Sequence, residues 1–285
     1  MPSFQDGPST DLFSALPFKG NVAISRLADA GVSEQMAAAV EHAPSGACVG
    51  WGIPFEIGDV VAIRDESVSI DLLPTRRQWF VFMHTSDHRQ IEPAHSGFFA
   101  PMRGQGQLGE HAADYVILYQ DGTEDRVSIR RRYQIGPFER RWGENCFESV
   151  AHHKPHPVRG AQEQLIKDWG SSQTRVQAAD SGPWVNWLWA WKNPKPDKAV
   201  VGVRFEPVSG LVVVMAISAG QASSLPLRWQ VRRKSVLTLP PGEAFDPKLD
   251  PQGRLQQVQL DMGQVISATP RLLYENDRWP ETYNN

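Results

Sequence analysis

The sequence predicts an all-β fold, an antiparallel β-sandwich with long loops and one or two short helices. Three observations predict it: many apolar runs of strand length, turn signals between them, and only two segments of helical character. Hydrophobic residues make up 41% and charged residues 21% of the 285-residue chain, enough apolar side chain for a sizeable core.

Residues 1–45 are mixed in texture and read as an N-terminal extension. Within them Ser33, followed by Glu34, Met36, Ala37 and Val40, predicts a short capped helix. A serine hydroxyl there accepts from an amide that the first helical turn leaves unpaired. From Gly46 to Ser218 the texture becomes that of strands. Gly52–Ile57 alternates, and Pro54 suggests an edge position, since proline cannot donate to a ladder. Ser67–Leu72 alternates cleanly, so one face is buried and one wet. Gln78–His84 is apolar on both faces, as a central strand requires, and Asp114–Tyr119 is similar. Asp121-Gly122 then separates this run from Arg126–Ile129, a hairpin signal because glycine accepts the positive φ of a tight turn. Val185–Trp191, Ala199–Phe205 and Leu211–Ile217 supply three more strands, punctuated by Pro194, Pro196 and Ser209-Gly210. Ala161–Trp169 is the second helical candidate. Residues 219–285 read as a β extension or the start of a further domain.

Two connections are unusually long. Arg89–Ala113 is polar and glycine-rich, and Pro137–Gly182 is polar and carries histidines. Long loops in a compact domain tend to carry function.

Charge narrows the partners. The formal net charge is −3, so the arginine-rich spots Arg130–Arg132 and Arg232-Arg233-Lys234 are local features. A general nucleic-acid partner, which needs a basic surface, is not expected. No run approaches the roughly 18 apolar residues of a membrane span. The N-terminus lacks a basic start followed by an apolar stretch, so no secretory leader is visible and the cytoplasm is the default. Cys48 and Cys146 read as two small buried thiols, with a disulfide between them left open.

Several of these strands resemble, in order, those of galactose-binding-like modules of the kind appended to large bacterial glycoside hydrolases. Gly52-Ile53-Pro54-Phe55-Glu56-Ile57 is similar to a G-(V/I)-P-F-x-I strand, and Phe82-Met83-His84-Thr85 to an F-L-H-T strand end. Tyr115–Tyr119 with Asp121-Gly122 resembles a Y-x-(V/I)-x-Y-x-D-G hairpin, and Trp191-Lys192-Asn193-Pro194-Lys195-Pro196 resembles W-x-N-P-x-P. The likeness covers residues 46 to 218. The Arg89–Ala113 loop is longer than the family pattern, and residues 219–285 have no counterpart in it. The resemblance implies a jelly-roll sandwich with a non-catalytic role, carried as the N-terminal part of a larger enzyme.

Trp187, Trp189 and Trp191 share one strand face, and rings spaced ~6.5–7 Å apart can stack successive sugar units. Leu188 and Ala190 make the opposite face apolar too, which points to core for Trp187 and Trp189. Trp191, near the Asn193-Pro194 turn, is the position for an exposed rim. The candidate ligand-binding residues are therefore Trp191, Asn193, Trp189 and His84. His84 also reads as a hydrogen-bonded structural residue. His152, His153 and His156 read as solvated loop histidines, since their spacing matches no metal motif. Asp121, Glu124 and Asp125 crowd a turn, and Glu139, Glu144 and Glu148 lie in the second long loop, without the facing pair a glycosidase needs. Arg103-Gly104-Gln105-Gly106-Gln107-Leu108-Gly109 lacks the strand-to-helix context of a phosphate loop. No cofactor is expected, although loop oxygens leave a structural calcium open.

The sequence thus points to a recognition or accessory module with carbohydrate, or a covalently linked catalytic domain, as its partner. Two alternatives stand beside it: a glycan-active hydrolase or lyase with its site in loops 89–113 and 137–182, and a structural interdomain module with no ligand.

Overall fold

A computed structural model describes residues 3–89, 106–140, 145–153, 182–227, 235–248, 255–258, 260 and 268. Among these residues the chain forms thirteen strands and one α-helix. In order they are β1 (Phe13–Leu16), β2 (Val22–Ala23), α1 (Glu34–Ala39), β3 (Gly46–Gly50), β4 (Ile53–Ile57) and β5 (Asp59–Ile63). Then come β6 (Val68–Thr75), β7 (Trp79–Ser86), β8 (His111–Tyr119), β9 (Glu124–Arg130), β10 (Ser149–Ala151), β11 (Trp187–Lys192), β12 (Val200–Pro207) and β13 (Val212–Gly220). Two 3-10 turns, Ile24–Asp29 and Val40–His42, flank α1.

The strands make the expected sandwich. One sheet runs β10-β11-β7-β13-β5-β2, with β1 also on β13; the other runs β6-β12-β8-β9; β3 and β4 form a separate pair. Every strand pairing is antiparallel. The two main sheets share one apolar interior. Phe80, Phe82, Trp189 and Val214 enter it from the larger sheet, and Ile70, Tyr115, Val203 and Phe205 from the smaller.

The chain crosses between sheets at each step from β5 to β8 and again from β11 to β13. Outgoing strands pair with returning ones: β5 with β13, β6 with β12, and β7 with β11. The arrangement is a long antiparallel ribbon folded over on itself, with the β8–β9 hairpin at its tip.

Local chemistry explains the elements. All eight residues of β7 are buried, because β11 and β13 flank it on both edges and its Phe80 and Phe82 enter the shared interior. In β6, Ile70 and Leu72 are buried while Ser69, Asp71 and Leu73 are exposed, so alternation sets its inward face. At the hairpin tip Gly122 has φ +82° and its N–H donates to Tyr119 O at 3.0 Å; Asp121 Oδ1 accepts from the Thr123 N–H at 3.0 Å. Pro54 lies in β4, opposite Val49 of β3, whose N–H and carbonyl bond instead to Phe4 and Asp6, so the missing proline N–H costs no ladder bond there. Ser33 caps α1: its Oγ accepts from the Met36 N–H at 3.1 Å and donates to Asp87 Oδ1 at 2.6 Å.

The segment before residue 46 does more than extend the chain. β1 pairs with β13 from Phe13↔Gly220 to Leu16↔Ile217, while β5 pairs with Val212–Val214 on the same strand. The two short strands thus sit end to end along one edge of β13. The helix expected over 161–169 lies outside the described residues. The described residues from 235 onward belong to a second unit. In it Gln257 ties its amide to the chain at Ala244 O, 2.9 Å away, and accepts from the Asp246 N–H at 3.0 Å. Among the described residues beyond Gly220 there is no strand.

Candidate functional site

The tryptophan row is core. Trp187, Trp189 and Trp191 stand opposite His84, Phe82 and Phe80 of β7, and all three are buried. Trp189 stacks on Phe82 with centroids 5.5 Å apart and on His84 at 6.3 Å. The exposed rim expected at Trp191 is corrected: the residue is 9% exposed and its ring meets Phe80 at 6.0 Å. Its strand alternation keeps it between the sheets to the end, and the exposed residue there is Lys192.

Asn193 is 2% exposed and its amide holds the turn. Nδ2 donates to Arg77 O at 3.0 Å, and Oδ1 accepts from the Lys195 N–H at 2.9 Å. The Tyr119 hydroxyl reaches the same Oδ1 at 2.8 Å.

His84 is fully buried. Its Nε2 lies 2.9 Å from Gln134 O, which only accepts, so Nε2 carries the proton and Nδ1 accepts from the Tyr115 hydroxyl at 2.8 Å. Burial pushes its pKa down to about 4. An unfolded histidine titrates near ~6.5, so the unfolded chain binds the extra proton first as the solution is acidified. Stability contributed by neutral His84 is therefore complete above about pH 6.5 and falls toward pH 4, by about 3 kcal/mol. Urea midpoints measured at pH 7 and pH 4.5 should show this fall, and His84→Gln should make it shallower; an unchanged slope would contradict the assignment.

His152 corrects the expectation of solvated loop histidines. It follows β10 and is buried; its N–H donates to Asn186 O at 2.8 Å, and its Nδ1 accepts from the Asn186 N–H at 3.1 Å. Burial, with His153 beside it, pushes its pKa down to about 3. His95 and His156 lie outside the described residues. Among the described residues no group of three or more His, Cys, Asp or Glu is arranged to hold a metal ion. Cys48 and Cys146 are buried thiols, not joined in a disulfide.

The roots of the two long connections meet at one end of the sandwich. The Ser86 N–H donates to Gly136 O at 3.0 Å, and the Phe138 N–H donates to Ser86 O at 2.9 Å. The Val185 N–H, from the far end of the second connection, donates to Phe138 O at 2.7 Å. His88 Nε2, just before the first connection, and Glu139 Oε2, in the second, are 3.1 Å apart. Beneath them Arg131, 4% exposed, donates to Ser209 O at 2.9 Å and Asp87 O at 3.3 Å. Its Nε is 3.1 Å from Glu110 Oε2, and Glu110 also meets Arg89. Burial, with Arg89 nearby, lowers the Arg131 pKa to about 10, so it stays charged at neutral pH.

Above these roots lies an aromatic pair that the sequence pattern did not single out. After β9 the chain turns tightly, with Arg132 at φ +62° and its N–H on Ile135 O at 2.6 Å. The second connection returns to this turn: the Phe147 N–H donates to Arg132 O, and the Glu148 N–H to Tyr133 O, both at 3.0 Å. The Tyr133 and Phe147 rings come within 5.2 Å, and Phe147 is 64% exposed. Beside them Gln134 Nε2 donates to Glu148 Oε2 at 2.8 Å. Tyr133 also borders Gly109 at the end of the first connection. Tyr133, Gln134 and Phe147 belong to no periodic run; the available signal was aromatic residues set among polar ones in and just before a long connection. No known family model and no curated protein matches this chain.

Proposed function

We propose that this chain is a non-catalytic recognition module, a jelly roll of galactose-binding-like type, that binds carbohydrate at the Tyr133–Phe147 surface and serves as an accessory domain to a catalytic one. The jelly-roll reading is supported by the pairing of β5 with β13, β6 with β12 and β7 with β11 across two sheets. The binding reading rests on one observation: Phe147, a large aromatic ring, is 64% exposed against Tyr133. The tryptophans first considered for stacking are interior.

A pyranose ring offers a face of weakly positive C–H groups, which suits the negative face of an aromatic ring. The neighbouring Gln134–Glu148 pair supplies a donor and acceptors for hydroxyls, the few placed polar groups a ligand surface needs. Calorimetric titration with a broad oligosaccharide panel tests the proposal. Phe147→Ala is expected to abolish the heat of binding while shifting stability by less than about 0.5 kcal/mol, as an exposed substitution should. Binding that survives this substitution would reject the surface, and a wild-type chain that binds no saccharide would reject the carbohydrate ligand.

A further inference from the structure

We propose that the Tyr133–Phe147 surface takes an acidic saccharide, a uronate-type sugar whose carboxylate is held by Arg130 and Arg140. The inference rests on the reading of that surface as a saccharide site and adds the charge of the ligand.

The observation behind it is how the arginines beside this surface are paired, compared with Arg126 and Arg204. On the outer face of the smaller sheet Arg126 and Arg204 are neutralised. Arg126 meets Asp114 at 2.9 Å and Glu206 at 2.6 Å, and Arg204 meets Glu206 at 2.8 Å and Glu124 at 3.1 Å. Around the aromatic pair the pattern changes. Arg130 Nη1 donates to a backbone carbonyl, Gly109 O, at 3.2 Å, and Arg140 Nη2 donates to an amide oxygen, Asn145 Oδ1, at 2.8 Å. Both acceptors are neutral. Among the described residues the ion-paired arginines are Arg26, Arg64, Arg89, Arg126, Arg131 and Arg204, and include neither Arg130 nor Arg140.

Both arginines are tied to the aromatic pair by structure. Gly109, which receives Arg130, also borders the Tyr133 ring. Asn145, which receives Arg140, lies two residues before Phe147. The nearby carboxylate Glu148 accepts from Gln134. Among the described residues, Arg130 thus reaches the neighbourhood of Tyr133 and Arg140 that of Phe147, each with an uncharged partner. A guanidinium prefers a planar carboxylate to a carbonyl, because the charge-assisted pair is stronger and can be bidentate. A neutral sugar would satisfy the ring and leave both charges unused; a uronate satisfies both.

Calorimetric titration of the whole chain with tetragalacturonate and with its fully methyl-esterified form tests the inference, since esterification removes the charges and adds only methyl groups. The acid is expected to bind at least about tenfold more tightly than the ester. That preference should shrink as sodium chloride rises from roughly 50 to 300 mM, because salt screens exposed charges. Arg130→Gln and Arg140→Gln should each weaken the acid and leave the ester unchanged. Equal affinity for acid and ester, or Phe147-dependent binding of neutral sugars alone, would overturn the acidic ligand and leave the saccharide reading standing. A chain that binds neither tetramer nor any sugar of the wider panel would overturn both. A single-stranded oligonucleotide binding as tightly as tetragalacturonate would also overturn the proposal, since the surface would then be reading charge and not a sugar.

Discussion

Trp189→Ala should lower the unfolding free energy by about 3–5 kcal/mol, the cost of deleting a large aromatic side chain from a packed core. Trp189 is 5% exposed. Its indole fills the space between Phe82 and Tyr115, at 5.5 and 6.3 Å, and lies nearly parallel to His84 at 7°. None of these neighbours can collapse into the gap, because each is fixed in a strand that is hydrogen-bonded on both sides. The urea midpoint measures the loss. A binding-site tryptophan would behave oppositely, with ligand affinity lost and the midpoint unchanged, and that result would return the row to the list of candidate contacts.

Arg131→Met should cost about 3 kcal/mol, by a different route. The side chain is 4% exposed and is the cation among Glu110, the Ser209 carbonyl and the Asp87 carbonyl. Its Nε approaches Glu110 at 3.1 Å without hydrogen-bond alignment, so charge, more than directed bonding, holds that contact. Methionine fills the volume but leaves two carbonyls without this donor and a carboxylate with Arg89 alone. Removing one partner of a buried ionic group is the costly operation, whatever the intact group contributes. Gly210 sharpens the site: it has φ +64°, and a Cβ there would approach Arg131 Nη2 at 2.7 Å. Arg131→Lys should fall between wild type and methionine in urea denaturation, since it keeps the charge and loses the planar fork. Lysine and methionine variants of equal stability would show that charge does not matter there.

Legibility in the sequence followed periodicity. The strands read from alternation or continuous apolar runs, β6, β7, β8, β11, β12 and β13, occur in the structure close to where the pattern put them. The Asp121-Gly122 turn and the Ser33 cap were legible for a chemical reason, since each needs a particular residue type. What stayed hidden was short or aperiodic. β1 and β2 have four and two residues, too few for a period to show, and β10 has three inside a long connection. Trp191 was misplaced because proximity to a strand end is a weak guide to exposure when the opposite sheet reaches that far. His152 was misread because its partners are distant in sequence, the Asn186 N–H 34 positions on and the Phe4 ring at 4.6 Å, in contacts no local pattern encodes. Tyr133 and Phe147 were invisible for the same reason, since their meeting depends on one connection folding back onto a turn.

The edge of β13 has a consequence for how the molecule is made. Ser218 Oγ donates to Ser14 O at 2.9 Å across 204 positions of sequence, and β1 is bonded along that same stretch of β13. During synthesis the first strand must wait, unpartnered, until nearly all of the sandwich has emerged. Contacts of such long range form late and slowly, so the N-terminal strand fastens a sheet whose other members are already in place. A chain trimmed to begin at Gly46 would lack that fastening, leaving the amides and carbonyls along the distal half of β13 open to whichever strand arrives first.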